Sequence, residues 1–189
     1  MRIDTDATIH HPRALAFRAL RDNLVAVGEH LPNITGIEVL ERKEPEAGVV
    51  EFVNVWHGEG SIPTVARPFI KASMLAWTDY ARWDEDDWSC EWRMETAFMT
   101  DRVSCSGRNT YEVVDADHTR LHITGDIGID LAGFPGVPSM VSRRARPAVE
   151  KFIVGLITPN LTKTADAVDA YLDAEAAAEP EDGAGEADG

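Results

Sequence analysis

Ser89-Cys90-Glu91-Trp92-Arg93-Met94-Glu95-Thr96-Ala97-Phe98-Met99 alternates along its length. Cys90, Trp92, Met94, Thr96 and Phe98 fall on one side, and Glu91, Arg93 and Glu95 on the other. Two later stretches repeat the pattern. Val103, Cys105, Gly107, Asn109, Tyr111 and Val113 alternate with Ser104, Ser106, Arg108, Thr110 and Glu112. Leu121, Ile123, Gly125, Ile127, Ile129 and Leu131 alternate with His122, Thr124, Asp126, Gly128 and Asp130. A period of two marks strands with one apolar and one polar face, and an antiparallel sheet built from them must bury the apolar face against another element.

The turns between these strands predict the register, since a slip of one residue would send every side chain to the wrong face. Pairing Phe98 with Val103 around Thr100-Asp101 puts Cys105 opposite Thr96 and Cys90 opposite Tyr111. The two thiols are then apart, and both are expected to stay reduced. Pairing Val113 with Leu121 leaves Asp115–Thr119 as the loop and sets Tyr111 opposite Ile123, Asn109 opposite Gly125 and Arg108 opposite Asp126. On the polar face Arg93 falls near Arg108 and Glu95 near Ser106, a solvated ladder of charge worth little per pair.

Upstream, Trp83-Asp84-Glu85-Asp86-Asp87-Trp88 reads as an acidic hairpin tip. Ile3, Thr5, Ala7 and Ile9 alternate with polar residues and form a first strand. Pro12 opens a helical region carrying Leu15, Ala16, Ala19, Leu20, Leu24 and Val27, punctuated by Gly28 and Pro32. Ile34 to Arg42 and Val49 to His57 read as strands joined by a Pro45–Gly48 turn. Residues 58–83 are the least regular, and Phe69 to Tyr80 reads as either a short helix or an extended crossing segment.

Downstream, a stiff Gly133–Pro138 loop leads to a long helix over roughly residues 140 to 172. Its apolar stripe is Ala148, Val149, Phe152, Ile153, Leu156 and Ile157, continued by Leu161, Ala165, Val168 and Leu172. Pro159 kinks or restarts it. This helix is the best cover for the sheet. The expected class is therefore α+β, a curved antiparallel sheet wrapped around a C-terminal helix, with two short helices after strand one. Residues 1–173 form the domain, and 174–189, rich in Ala, Glu, Asp and Gly, form an acidic disordered tail.

The chain has 189 residues and a net charge of −15. Asp173–Gly189 holds seven acids and no base, which leaves −8 on residues 1–172, a balance unsuited to nucleic-acid binding. Only four lysines stand against 14 arginines, as in a GC-rich bacterial or salt-adapted genome. The start is charged, with no signal-peptide core, and no apolar run reaches the ~18 residues of a membrane span. A cytoplasmic, non-integral protein is expected, its oligomeric state open.

The motif scan is negative for a nucleotide loop, HExxH, CxxC and GxSxG. No cofactor, metal or catalytic residue is assigned. Asp84–Asp87 lacks the glycine and final glutamate of a calcium loop, and His10-His11, neighbours in a strand, point apart. The inward residues carry more information. Trp92, Met94, Phe98, Tyr111, Ile123, Ile127, Phe152 and Leu156 supply apolar surface, while Thr96, Asn109 and His57 add polar atoms. Such a set lines either a small-molecule cavity or an ordinary packed core. Which of Trp56 and His57 faces inward stays open. Arg143, Arg144 and Arg146 are a solvated patch or an anion-facing mouth.

The order of elements resembles the START-like, helix-grip superfamily (SRPBCC), which includes lipid-transfer domains, polyketide cyclases and aromatases, and the major birch-pollen allergen. Three stretches carry the resemblance: the opening strand with His11-Pro12-Arg13-Ala14-Leu15-Ala16-Phe17-Arg18-Ala19-Leu20-Arg21-Asp22; Leu31-Pro32-Asn33-Ile34 leading into Ile37-Glu38-Val39-Leu40-Glu41; and Thr119-Arg120-Leu121-His122-Ile123 before the Gly/Pro loop and final helix. Ile62–Trp83 departs from the common short pattern and is similar to a prokaryotic branch in which a Pro-rich segment precedes a strand beginning near a tryptophan. The resemblance implies a ligand between the concave sheet face and the last helix. The expected function is binding or carriage of a hydrophobic small molecule such as a lipid, an isoprenoid or an aromatic polyketide. The alternatives are a cyclase- or aromatase-type enzyme on a similar ligand, with His57, Tyr111 and Asn109 as the nearby acid–base candidates, and a protein-interaction module.

Overall fold

The three alternating stretches become adjacent strands of one antiparallel sheet in the computed structural model. The structure describes residues 2–62, 64, 67, 71, 75–97, 100, 102–130, 140, 143–144, 147–148, 151, 155 and 161–178. The described elements are β1 (Arg2–Ile9), α1 (Arg13–Asp22), α2 (Leu24–Gly28), β2 (Ile34–Glu46), β3 (Val49–Gly58), β4 (Ala76–Asp84), β5 (Ser89–Thr96), β6 (Val103–Val113), β7 (Thr119–Ile129) and α3 (Thr164–Ala178). The sheet has seven strands in the order β1-β7-β6-β5-β4-β3-β2. Six strands meander, and the first returns beside the last. The sheet is curved and open, with α1, α2 and α3 against its concave face.

Local chemistry accounts for the turns. Gly48 closes the β2–β3 hairpin at φ +79°, a conformation open to glycine. At the β4–β5 tip the Asp84 carboxylate accepts the backbone N–H groups of Asp86 (3.0 Å) and Asp87 (3.3 Å). Trp88 leaves that turn at φ +49° and takes the Arg13 guanidinium over its ring at 4.1 Å.

Both hairpin registers differ from the expected ones by two residues. Cys90 opposes Asn109, Trp92 opposes Gly107 and Met94 opposes Cys105. Val113 opposes Thr119 and Tyr111 opposes Leu121. A shift of two keeps every side chain on its face, so the inward set is unchanged while its partners change. The reason is steric. Trp92 lies across Gly107 and Gly125, and a Cβ at Gly107 would meet the indole and the Thr124 carbonyl. Arg108 consequently faces Glu91 (3.4 Å) and reaches Asp87 (3.0 Å), away from its expected neighbour Arg93.

The region that resisted a sequence reading supplies a regular central strand. Ala76–Asp84 pairs along its length with β3 and β5, so the short helix considered for Phe69 to Tyr80 gives way to strand over Ala76–Tyr80.

Helix α1 buries Ala16, Phe17, Ala19 and Leu20. The Phe17 ring meets Trp83, Trp88 and Tyr111 edge-on at 5.2–5.3 Å, tying the helix to the sheet. Asn23, at φ −123°, separates α1 from α2. Toward the C-terminus Leu161, Ala165 and Val168 are buried and Leu172 half-buried, as the stripe predicts. The helix continues through Glu175 to Ala178, so the first part of the expected tail is helical. Met140, Arg143, Arg144, Pro147, Ala148, Lys151 and Gly155 are helical, with Arg143 and Arg144 exposed. The Gly133–Pro138 loop, Arg146 and the Pro159 kink lie outside the described residues.

Candidate functional site

The strand register lays the concave face out in rows. Asn54, Asp79, Met94, Cys105 and Ile127 run across β3 to β7; Phe52, Ala81, Trp92, Gly107 and Gly125 form the next row; Trp56, Trp77 and Thr96 lie on the other side of the first. Between this surface and the helices is a cavity of about 90 Å³. Trp56, Trp77, Trp83, Trp92 and Tyr111 supply its aromatic wall. Leu20, Leu24, Leu31, Leu161 and Thr164 approach from the helical side.

The sequence-based candidates divide into groups. Trp92, Met94, Asn109 and Tyr111 border the cavity. Asn109 is engaged by a neighbour, since its Oδ1 accepts the Trp92 indole N–H at 2.9 Å, which holds that ring over the two glycines. Thr96 is half-buried opposite Trp77. Ile123 (0% exposed) and Ile127 (2%) are packed into the core and are not among the residues bordering this cavity. His57 is exposed, because Trp56 takes the inward position and successive strand residues point to opposite faces. That geometry removes His57 as a wall residue and as an acid–base candidate. Phe98, Phe152 and Leu156 lie outside the described residues.

Asp79 is not in that set, and it is the wall's strongest chemical feature. It is 6% exposed and borders the cavity. Asn54 (0% exposed), directly opposite on β3, donates from Nδ2 to Asp79 Oδ2 at 3.3 Å. Among the described residues no cation pairs with this carboxyl. Loss of hydration pushes its pKa up to about 6, offset in part by the Asn54 hydrogen bond and the nearby Trp56 indole. That indole N–H nevertheless falls outside good hydrogen-bond geometry.

Among the described residues four buried polar atoms have no hydrogen-bond partner: Asn54 Oδ1, Trp56 Nε1, Trp77 Nε1 and the Tyr111 hydroxyl. Three of these residues border the cavity, and the fourth holds Asp79. Buried polar groups are nearly always paired, so this cluster calls for water or a guest molecule. Burial, aided by Cys90, drives the Tyr111 phenol well above its ordinary value. Burial likewise raises Cys90 far above its usual range and Cys105 to about 12. Both cysteines are free and buried, and both are unreactive as thiols.

The paired histidines after β1 serve the fold. His10 Nδ1 meets Asp169 Oδ2 at 2.7 Å, its backbone N–H donates to Asp169 Oδ1 at 2.8 Å, and His11 Nε2 reaches Asp173 at 3.2 Å. No set of three or more metal-ligating side chains comes together among the described residues. No helix among them is long and apolar enough to cross a membrane.

No protein-family model and no curated protein matches the sequence. Solved structures do match the fold. The Zhui aromatase/cyclase from Streptomyces sp. R1128 superposes with a TM-score of 0.64 at 20% identity, covering 97% of this chain and 98% of that one. A protein from Thermus thermophilus gives 0.64 at 14% identity, covering 95% and 100%. Norcoclaurine synthase from Thalictrum flavum gives 0.58 at 12% identity, covering 91% and 86%. Seven antiparallel strands curving around a terminal helix, shared with these proteins over nearly the whole chain, make this a START-like helix-grip fold.

Proposed function

We propose that the protein binds and carries a hydrophobic small molecule, of the lipid, isoprenoid or aromatic polyketide kind, in the cavity between the concave sheet face and the C-terminal helix, as a soluble cytoplasmic protein. The observation that supports this most is the aromatic cavity whose wall holds unpartnered buried polar atoms. Apolar walls drive binding by removing ligand surface from water, at roughly 25 cal/mol per Å². A few polar groups then set orientation. The Tyr111 hydroxyl has hydrogen-bonding capacity to spare, and Asn109 acts through Trp92.

Native mass spectrometry before and after organic extraction tests this reading. A small-molecule adduct lost on extraction, with tryptophan fluorescence changing on re-addition of the extract, is the expected result. A protein that carries no adduct, and whose tryptophans ignore every lipid, isoprenoid and polyketide offered, is no carrier.

Asp79 supports a second reading, a cyclase- or aromatase-type enzyme. A buried carboxyl with a pKa of about 6 on the wall of an aromatic cavity is poised to give or take a proton. Turnover that follows a group with pKa near 6, and is lost in Asp79→Asn while ligand still binds, would support catalysis. Equal turnover in the variant excludes Asp79 as the acid–base group.

A further inference from the structure

Asp79 is an anion-forming side chain placed where the described residues provide no cation. Its neighbours across the sheet are Asn54 on β3 and Met94 on β5, and the same row continues to Cys105 and Ile127. The titratable groups that feel its charge are Cys90 and Cys105, and Tyr111 lies on the same cavity wall; all three are held neutral by burial. From the helices and the bend after α2 the residues bordering the cavity are Leu20, Leu24, Leu31, Leu161 and Thr164, none charged. Beside the carboxyl sits a second acceptor with nothing to accept, Asn54 Oδ1. Trp56 and Trp77, stacked at 5.8 Å, flank the pair from the adjoining row.

A wall carboxylate with no cation among the described wall residues, in aromatic surroundings, complements one functional group above others. An ammonium carries three donors and no acceptor, gains from a buried carboxylate, and is favoured near indole rings. A carboxylate or phosphate guest would meet repulsion from Asp79. A neutral alcohol would find one good partner and leave the charge uncompensated.

We propose that the cavity takes a hydrophobic amine, its ammonium group held by the Asp79 carboxylate, itself hydrogen-bonded by Asn54, beside the Trp56–Trp77 pair. This deepens the carrier reading and rests on it, since it names the polar end of the ligand. The guest supplies the counter-charge that the described wall lacks, so binding and ionisation of Asp79 are coupled.

The test compares 2-phenylethylamine with 2-phenylethanol by calorimetric titration of the full chain. The amine should bind about tenfold tighter than the alcohol at pH 7.5. Its affinity should fall about tenfold at pH 5, where Asp79 is protonated, while that of the alcohol stays level. Asp79→Asn should bring the amine down to the level of the alcohol without weakening the alcohol, and near-UV circular dichroism checks that the variant is folded. An alcohol that binds as well as the amine at pH 7.5 overturns the amine assignment and leaves the carrier reading standing. So does an amine indifferent to Asp79→Asn. If neither compound binds, the amine assignment fails, and the carrier reading stands or falls by the extraction experiment.

Discussion

A carboxylate withdrawn from water costs stability unless a cation answers it, and among the described residues none answers Asp79. Its pKa rises from an ordinary 3.8 to about 6, so between those values the folded chain holds a proton that the unfolded chain has released. The stability of the neutral form is fully present below about pH 3.8 and is lost as pH rises through about 6. Asp79→Asn stays neutral throughout. It should stabilise the empty protein by up to about 3 kcal/mol at pH 8 and have little effect at pH 4, read as the urea midpoint at each pH. Equal midpoints for variant and parent at pH 8 would mean that the carboxyl is hydrated after all. Gly107 is the other decisive residue. A methyl there meets the Thr124 carbonyl and the Trp92 indole, whereas nothing lies within 4 Å of a Cβ added at Gly36. Gly107→Ala should cost about 1–3 kcal/mol and Gly36→Ala much less, measured by chemical denaturation. Trp92 is both wall and core, at 6% exposure, so Trp92→Ala should destabilise the domain by about 3–5 kcal/mol as well as empty the wall.

Among the elements, α3 is held to the start of the domain by the acids at Asp169 and Asp173, one helical turn apart, gripping His10 and His11. The hydrogen bond that His10 donates to the Asp169 carboxylate, then the charge of Asp169, raises the His10 pKa above 6.5. A raised histidine stabilises the fold below its unfolded pKa, and that contribution disappears as pH climbs through the folded value. Amide protection factors in α3 should therefore be higher at pH 6 than at pH 8.5, and Asp169→Asn should flatten the difference. Unchanged protection in the variant would reduce this contact to a surface ornament of the helix. Elements also differ in how openly their sequence speaks. β5, β6 and β7 are legible from strict alternation. β4 is not, because its inward set of Trp77, Asp79, Ala81 and Trp83 places a carboxylate and a small residue where alternation looks for large apolar ones. Asp79 escapes a sequence reading for the same reason that it matters: a buried acid breaks the pattern by which buried faces are recognised.

The whole molecule carries −15, and many of its exposed cations are already paired on the convex face, where Arg82, Arg93 and Arg108 meet Glu46, Glu95 and Asp87. Excess negative charge opposes compaction, and salt screens that repulsion within a Debye length of about 10 Å at 0.1 M. Raising NaCl from about 0.02 to 0.3 M should lift the melting temperature by a few degrees. A falling melting temperature would show that the surface ion pairs outweigh the net repulsion.

Alternation and helical spacing determined by themselves the inward faces of β5, β6 and β7, that a terminal helix covers the sheet, and that the cysteines stay apart. These depend on side-chain periodicity, which is written locally. Only the tertiary structure decided which inward residues border open space. It turned His57 outward, gave Asn109 to Trp92, and set Asp79 beside Asn54 with no described cation in reach. Those outcomes depend on partners brought together across strands, and on a register that a ring resting on glycine, rather than the turn, selects.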